Sequence, residues 1–288
     1  QFHHAAGAGF AGIEIGLARE GFFSVDGDPA DVDAVARLAH DTGLTISGML
    51  AGPLGHVPPT SNEESARIEA RRIARRAIEV AASLGVDTLL VVPGRVEVDV
   101  PYGVAWERAI AFVRDLVPDA ERHDVHLAIE NVWNNFLLSP IEAARFVDEF
   151  HSPAVGWHFD VGNVINTGWP EHWIRVLGPR IQKLHIKEFS RTKADKEGKW
   201  AGFNAALLEG EYGINGLFVG GTDDVVKSIT MVTAATAAVC PLRGGRISLP
   251  VAPATVDGRA NIATSPSLAP PSPAAPPTHE LFHRCCRR

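Results

Sequence analysis

Glu130, Asp160 and His185 have side chains that can bind a metal, and each stands near the end of an apolar segment. Glu130 lies in HLAIEN, Asp160 ends AVGWHFD and His185 lies in IQKLHIKEF. If these segments are neighbouring parallel strands, their carboxyl ends converge, and two carboxylates and an imidazole can hold one divalent cation. Carboxylates beside an imidazole suit Mn2+, which we expect, and Mg2+, Co2+ or Zn2+ as alternatives. The lack of a nearby cysteine disfavours thiolate-binding metals. Taken singly, each residue has a plainer interpretation, as a polar strand end that caps a helix, but three in succession favour a site.

The elements that must position these side chains alternate between strands and helices. Continuous apolar runs suit strands that are buried on both faces. The predicted strands are 9–15, 44–50, 86–92, 126–131, 154–160 and 181–189. The helical patterns between them include one with a capping box at Ser61, one that begins after Ser139 and one that begins after Trp169. Their periodicity places Ile68 and Ile141 on the buried faces.

This alternation predicts repeated right-handed βαβ units and a parallel sheet. No G-x-G-x-x-G follows the first strand, which argues against a dinucleotide-binding fold. Polar residues at one strand end after another favour a barrel with its site at the carboxyl ends of the strands. We therefore predict an α/β fold, a (β/α)8 TIM barrel in an incomplete form, with the first strand truncated before residue 1 and the last strand degraded or missing.

The composition divides the chain into three parts. Residues 1–215 carry 20 Lys and Arg against 30 Asp and Glu, whereas residues 216–288 carry 7 against 4. We assign 1–215 to the barrel, 216–263 to an uncertain remnant of the last βα unit, and 264–288 to a disordered Pro/Ala-rich tail that contains TSPSLAPPSPAAPP. The break indicates that the sequence after about residue 215 is not the natural continuation of the fold, for instance through a shifted reading frame.

Charge, hydropathy and cysteine content exclude several classes of protein. The formal net charge is −7, so binding of nucleic acid through a broad basic face is not expected. No apolar run approaches the roughly 18 to 20 residues of a membrane span. Three cysteines are too few for a disulfide framework, and we expect a cytoplasmic enzyme.

Several longer segments resemble a known family. IENVWNNFLLSPIEAARFVDEF, GWHFDVGNVINTGWPEHWIRVLG, IQKLHIKEF and LLEGEYGIN resemble the sugar phosphate isomerase/epimerase group of the xylose-isomerase-like barrel superfamily, nearest to ketopentulose and ketopentulose-5-phosphate 3-epimerases. The resemblance covers residues 1 to about 215. It implies one divalent metal, held by Glu130, Asp160, His185 and a second Glu from the last strand. After ITMVTA, where that Glu is expected, this chain has Ala235, and Glu209 is the nearest candidate substitute.

The resemblance also implies a reaction. Such enzymes remove a proton from a carbon beside a ketose carbonyl and return it, through an enediolate that the metal stabilises. Glu130 would be one catalytic carboxylate. An aldose–ketose isomerase uses the same chemistry between C1 and C2, and the sequence does not separate the two reactions. The expected partner is a small-molecule sugar or sugar phosphate, and a homo-oligomer is a candidate assembly.

Further residues are candidate substrate contacts. By resemblance these are Arg191 and Asn163. By position they are Glu188, at the same strand end as His185, His56, on a loop at the active mouth, and His158, which faces the same side of its strand as Asp160. His158 is at least as well explained as a core histidine. Glu14 ends the first strand and could point into the same mouth. Lys187 and Lys193 could join Arg191 at a phosphate. Trp133 and Phe136 form either an apolar wall beside the sugar or part of the core.

Two other interpretations remain open. The first is an inactive barrel or binding protein that has lost the last-strand metal ligand. The second is a metal-dependent endonuclease of the abasic-site type, which shares the barrel. It needs more His and carboxylate ligands and a basic surface, whereas residues 1–215 have a balance of −10.

Overall fold

The computed structural model describes residues 1–205, and these form a curled parallel sheet wrapped by helices. The strands are β1 Gly12–Gly16, β2 Thr45–Leu50, β3 Thr88–Val91, β4 His126–Glu130, β5 Val155–Asp160 and β6 Ile181–His185. Each is parallel to the next, and their order in the sheet is their order in the chain. All six predicted strands are confirmed, and within residues 1–205 the architecture is an incomplete TIM barrel.

Helices follow the strands as the βαβ pattern predicts. They are α1 Phe2–Gly7, α2 Pro29–Thr42, α3 Glu64–Ser83, α4 Tyr102–His123, α5 Pro140–Asp148, α6 Val161–Ile165, α7 Pro170–Leu177 and α8 Arg191–Glu197, with 3-10 turns at Gly52–Gly55, Gly178–Arg180 and Lys199–Asn204. The Ser139 hydroxyl accepts from Glu142 N at 3.2 Å and caps α5, as the sequence predicts. Within residues 1–205, every helix is too short or too polar to span a lipid bilayer.

Three details of the helix predictions are wrong. The helix after Ser61 begins only at Glu64, and the Ser61 hydroxyl accepts from Glu63 N instead of capping the first turn. Ile68 is 58% exposed because it lies five positions before the buried Ile73, which rotates it by about 140° away from the buried face. On α5 the buried face runs through Ala143, Ala144, Phe146 and Val147, so Ile141 is 64% exposed.

The helices cover the outer face of the sheet with large apolar side chains. On β5, Trp157 and Phe159 are buried, and their rings lie 6.3 and 6.1 Å from the ring of Trp173 on α7. Because side chains alternate along a strand, His158 and Asp160 must face the opposite, inner side of the curl. The packing of the outer layer therefore fixes which polar residues enter the barrel.

Candidate metal centre

The register of β4, β5 and β6 brings the three predicted ligands together. Asp160 on β5 is the direct pairing partner of His185 on β6, and Glu130 on β4 pairs with His158, two residues before Asp160. All four are buried. Glu130, Asp160 and His185 each present a donor atom, and these atoms lie within 4.8 Å of one another. The carboxyl ends of three adjacent strands thus meet at a single cluster.

His185 lies among three carboxylates. Its Nδ1 lies 3.0 Å from Glu130 Oε1 and 3.9 Å from Asp160 Oδ2, while its Nε2 lies 2.7 Å from Glu14 Oε2. Glu14 is on β1, 171 residues earlier in the chain. Burial opposes the charged imidazole, but the hydrogen bonds to Glu130 and Glu14 prevail and raise the pKa of His185 to about 9. The ring is therefore held as a cation among acidic groups.

A second cation faces Asp160. Burial raises the pKa of Asp160, and the nearby Glu130 raises it further, while Lys187 opposes both effects. The Lys187 Nζ lies 3.0 Å from Asp160 Oδ2 and 4.7 Å from the centre of the Phe203 ring. Gly162 leaves room for this side chain, since a Cβ there would lie 2.4 Å from Lys187 Cγ. Lys187, predicted as a phosphate contact, is engaged with the carboxylate cluster.

Asn131 anchors the backbone at Asp160, and sequence reasoning missed it. Its amide donates to Asp160 O at 2.7 Å, and its Oδ1 accepts from Asp160 N at 3.0 Å and from Trp157 Nε1 at 3.1 Å. Its own carbonyl accepts from Asn163 Nδ2 at 2.8 Å. The signal available in the sequence was an amide residue directly after Glu130, which alternation turns to the helix side of the strand.

The donor set of the centre fits a divalent cation. Two carboxylates and one imidazole provide the oxygen and nitrogen donors that Mn2+, Mg2+, Co2+ and Zn2+ accept. Glu14 Oε1 is buried and has no hydrogen-bond partner among residues 1–205, which leaves one negative oxygen of the cluster unsatisfied. Three carboxylates, those of Glu14, Glu130 and Asp160, thus face only two cationic side chains among the described residues, those of His185 and Lys187. A bound metal ion would supply the additional positive charge.

Three predicted contacts lie beside the centre. The His158 ring centre is 3.9 Å from that of His185, and His158 forms a second possible donor group with Glu14 and His185. Glu188 is buried three residues after His185. Asn163 is partly buried, and its backbone N donates to Asp160 Oδ1 at 2.9 Å. His158 and Asn163 therefore contact residues of the cluster, whereas Glu188 is placed near it only by its position in the chain.

Other predicted contacts are engaged elsewhere. Arg191 donates to the carbonyls of Ile165 and Gly168, both at 2.6 Å, and so holds the loop between α6 and α7. Lys193 donates to Asn204 O at 3.2 Å. His56 is exposed just after the 3-10 turn Gly52–Gly55. Glu209 and Ala235 lie outside the described residues, as do the assignments of 216–263 and 264–288.

Aromatic side chains border the same end of the barrel. The Trp133 ring lies 5.6 Å from Phe189 and 4.9 Å from both Trp200 and Phe203. Trp133 also donates from Nε1 to Asn163 O at 2.8 Å, so this cluster is tied to the loop after Asp160. Phe136 is fully buried and belongs to the core, which decides between the two predictions made for it.

A curled parallel sheet with two carboxylates and an imidazole at its carboxyl end defines the chain as a TIM barrel with a candidate metal centre. Residues 2–218 match the model of the xylose isomerase-like TIM barrel family, and the chain belongs to that family. This agrees with the resemblance seen in the sequence. No curated protein sequence matches the chain.

Solved structures share the fold at low sequence identity. A D-tagatose 3-epimerase-like protein is 19% identical, with 71% of this chain and 75% of that chain covered and a TM-score of 0.60. D-allulose 3-epimerase from Methylomonas sp., in complex with D-allulose, is 20% identical, with 76% and 71% covered and a TM-score of 0.58. A xylose isomerase-like TIM barrel protein from Mycobacterium smegmatis, in complex with magnesium, is 19% identical, with 66% and 65% covered and a TM-score of 0.52.

Proposed function

We propose that this protein is a divalent-metal-dependent sugar or sugar phosphate isomerase or epimerase that transfers a proton beside a ketose carbonyl. The observation that carries the proposal is the convergence of Glu130, Asp160 and His185 on one point at the carboxyl ends of β4, β5 and β6. Solved structures of the same fold include 3-epimerases that act on ketoses and a family member in complex with magnesium. These support the class of reaction and the metal requirement.

Glu130, Asp160 and His185 would hold the cation, with Mn2+ as our first choice. When bound, the cation supplies a Lewis acid that polarises the substrate carbonyl and makes the adjacent C–H acidic. Glu130 would take that proton, since it is a buried carboxylate at the centre. Burial of Glu130 keeps water from competing with the substrate for the carboxylate. A second carboxylate must act from the opposite face of the carbon. Glu209, the substitute fourth ligand proposed from the sequence, lies outside the described residues.

The polar groups around the centre would position the sugar. We propose Asn163, His158 and Glu188 as contacts for its hydroxyl groups, since the first two touch residues of the centre and Glu188 is buried three residues after His185. His56 and Arg191 are proposed as further contacts. Trp133 and its aromatic neighbours suit the apolar face of a sugar ring or chain.

The experiment is a proton-exchange measurement. The full chain with Mn2+ is incubated in D2O with ketopentoses and with their 5-phosphates, and NMR follows deuterium at C3 and at C1. We expect Mn2+-dependent exchange that falls at least about a hundredfold in Glu130→Gln. Glu149→Gln, which removes an exposed carboxylate just after α5, is the matched control and should keep the exchange. No exchange at either carbon of any of these sugars, in a protein that binds Mn2+, would refute the proposed function.

A further inference from the structure

His185 belongs to two donor groups that compete for it. One is Glu130, Asp160 and His185; the other is Glu14, His158 and His185. A neutral imidazole has one lone pair and one N–H, so it can bind a cation through only one nitrogen. The nitrogen that carries the hydrogen therefore decides which group holds the metal.

Glu14 makes that decision. Its Oε2 lies 2.7 Å from His185 Nε2, which is short for a hydrogen bond and typical of a charged acceptor. A carboxylate at this distance requires a hydrogen on Nε2, and both side chains are buried, so water does not replace the contact. In the metal-free protein Nδ1 also carries a hydrogen, which faces Glu130 Oε1 at 3.0 Å. When a cation takes the place of one of the two ring hydrogens, the shorter contact with Glu14 keeps the hydrogen on Nε2. The lone pair then belongs to Nδ1, which also faces Asp160 Oδ2 at 3.9 Å.

We infer that Glu14 is a positioning residue that fixes His185 as an Nδ1 ligand and so confines a single cation to the Glu130–Asp160 side of the ring. The inference rests on the proposed function, because it concerns the same cation. Carboxylates that accept from the second nitrogen of a metal-binding histidine commonly affect metal affinity by 10- to 100-fold. His158 then serves as a ring neighbour of His185 and not as a ligand.

The fold explains why a residue of β1 can play this role. β1 and β6 are the two outer strands of the described sheet, and its curl brings the inward side chain of one to that of the other. Gly48 on β2 leaves the space that Glu14 occupies, since a Cβ at Gly48 would lie 3.0 Å from Glu14 Oε1.

The first test measures Mn2+ affinity calorimetrically in the wild type and in three variants. Glu14→Gln keeps the size of the side chain and should weaken binding by about 10- to 100-fold. Asp160→Ala should abolish measurable binding because it removes a ligand, and His158→Ala should change affinity by less than about threefold because it removes none. Two results would overturn the inference. One is an unchanged Mn2+ affinity in Glu14→Gln. The other is loss of Mn2+ binding in His158→Ala together with retained binding in Asp160→Ala.

The second test reads the nitrogen directly. In the Zn2+-loaded protein labelled with 15N-histidine, long-range 1H–15N spectra should show His185 with a hydrogen on Nε2 and the metal on Nδ1. The reverse assignment would overturn the inference even if the protein is an active isomerase. If the wild type binds neither Mn2+ nor Zn2+, the proposed function itself fails, and the two failures are thus distinguished.

Discussion

Lys187→Met should make the protein bind Mn2+ more tightly while making the metal-free fold less stable. In the wild type the Lys187 ammonium lies 3.0 Å from Asp160 Oδ2, the oxygen that also faces His185. A divalent cation that uses this oxygen must compete with the ammonium. Methionine keeps an unbranched apolar side chain of nearly the same length but has no ammonium, so it removes the charge that faces Asp160 and the Phe203 ring.

The structure sets the size of the effect. At 3.0 Å and an effective dielectric constant of about 20, the ion pair is worth about 5 kcal/mol before solvent screening. The Lys187 side chain is 36% exposed, although that of Asp160 is only 1% exposed, so we reduce this value toward that of surface pairs, to about 1.4 kcal/mol. Removal of the competitor should therefore lower the Kd for Mn2+ about tenfold.

Calorimetric titration with Mn2+ gives the Kd. Urea denaturation in EDTA gives the free energy of unfolding of the metal-free protein. This free energy should fall by about 1 kcal/mol because Asp160 loses its partner. Lys196→Met, which removes an exposed ammonium in the last turn of α8, is the matched control and should change neither quantity. A Kd that is unchanged or weaker in Lys187→Met would show that the ammonium does not compete with the cation, and this reasoning would be wrong.

Three further predictions concern the residues around the centre. Because the pKa of His185 is raised to about 9, its charge stabilises the metal-free fold fully below about pH 6.5, and this contribution is lost as the pH rises through 9. The Tm measured in EDTA should therefore fall between these pH values. The variant His185→Asn should show a smaller fall. Asn131→Ala leaves both the N–H and the C=O of Asp160 without their partner and should cost about 3 kcal/mol in urea denaturation; a loss below about 1 kcal/mol would contradict the role of the amide. Gly94→Ala places a Cβ 2.1 Å from Thr60 Cγ2 at a φ of +148° and should destabilise the fold by more than about 2 kcal/mol, which thermal melting would detect and which unaltered melting would exclude.

The sequence by itself determined the barrel architecture and the three central donors. Both conclusions depend on short-range regularities: apolar runs define the strands, and parallel strands with helical connections have their carboxyl ends at one edge. Glu130, Asp160 and His185 end three such runs, so their convergence follows from chain order and strand direction alone. The family match over residues 2–218 agrees with the predicted barrel.

Helix faces were less well determined, because a helix buries a stripe whose angle depends on how it packs against the sheet. Ile68 and Ile141 have the right residue type for a core but the wrong angle, and both point outward. The few residues that decide this angle are supplied by neighbouring elements, which a local pattern does not contain.

Only the tertiary structure decided how the centre is completed. Glu14 contacts His185, 171 residues later in the chain, because the sheet curls. The residue alternation of a single strand does not predict this curvature. Lys187 reaches Asp160 through the space left by Gly162, and Asn131 binds the backbone of the neighbouring strand. Alternation tells which face a side chain occupies, but the partner it finds there depends on rotamers and on strand separation, and these exist only once the chain is folded.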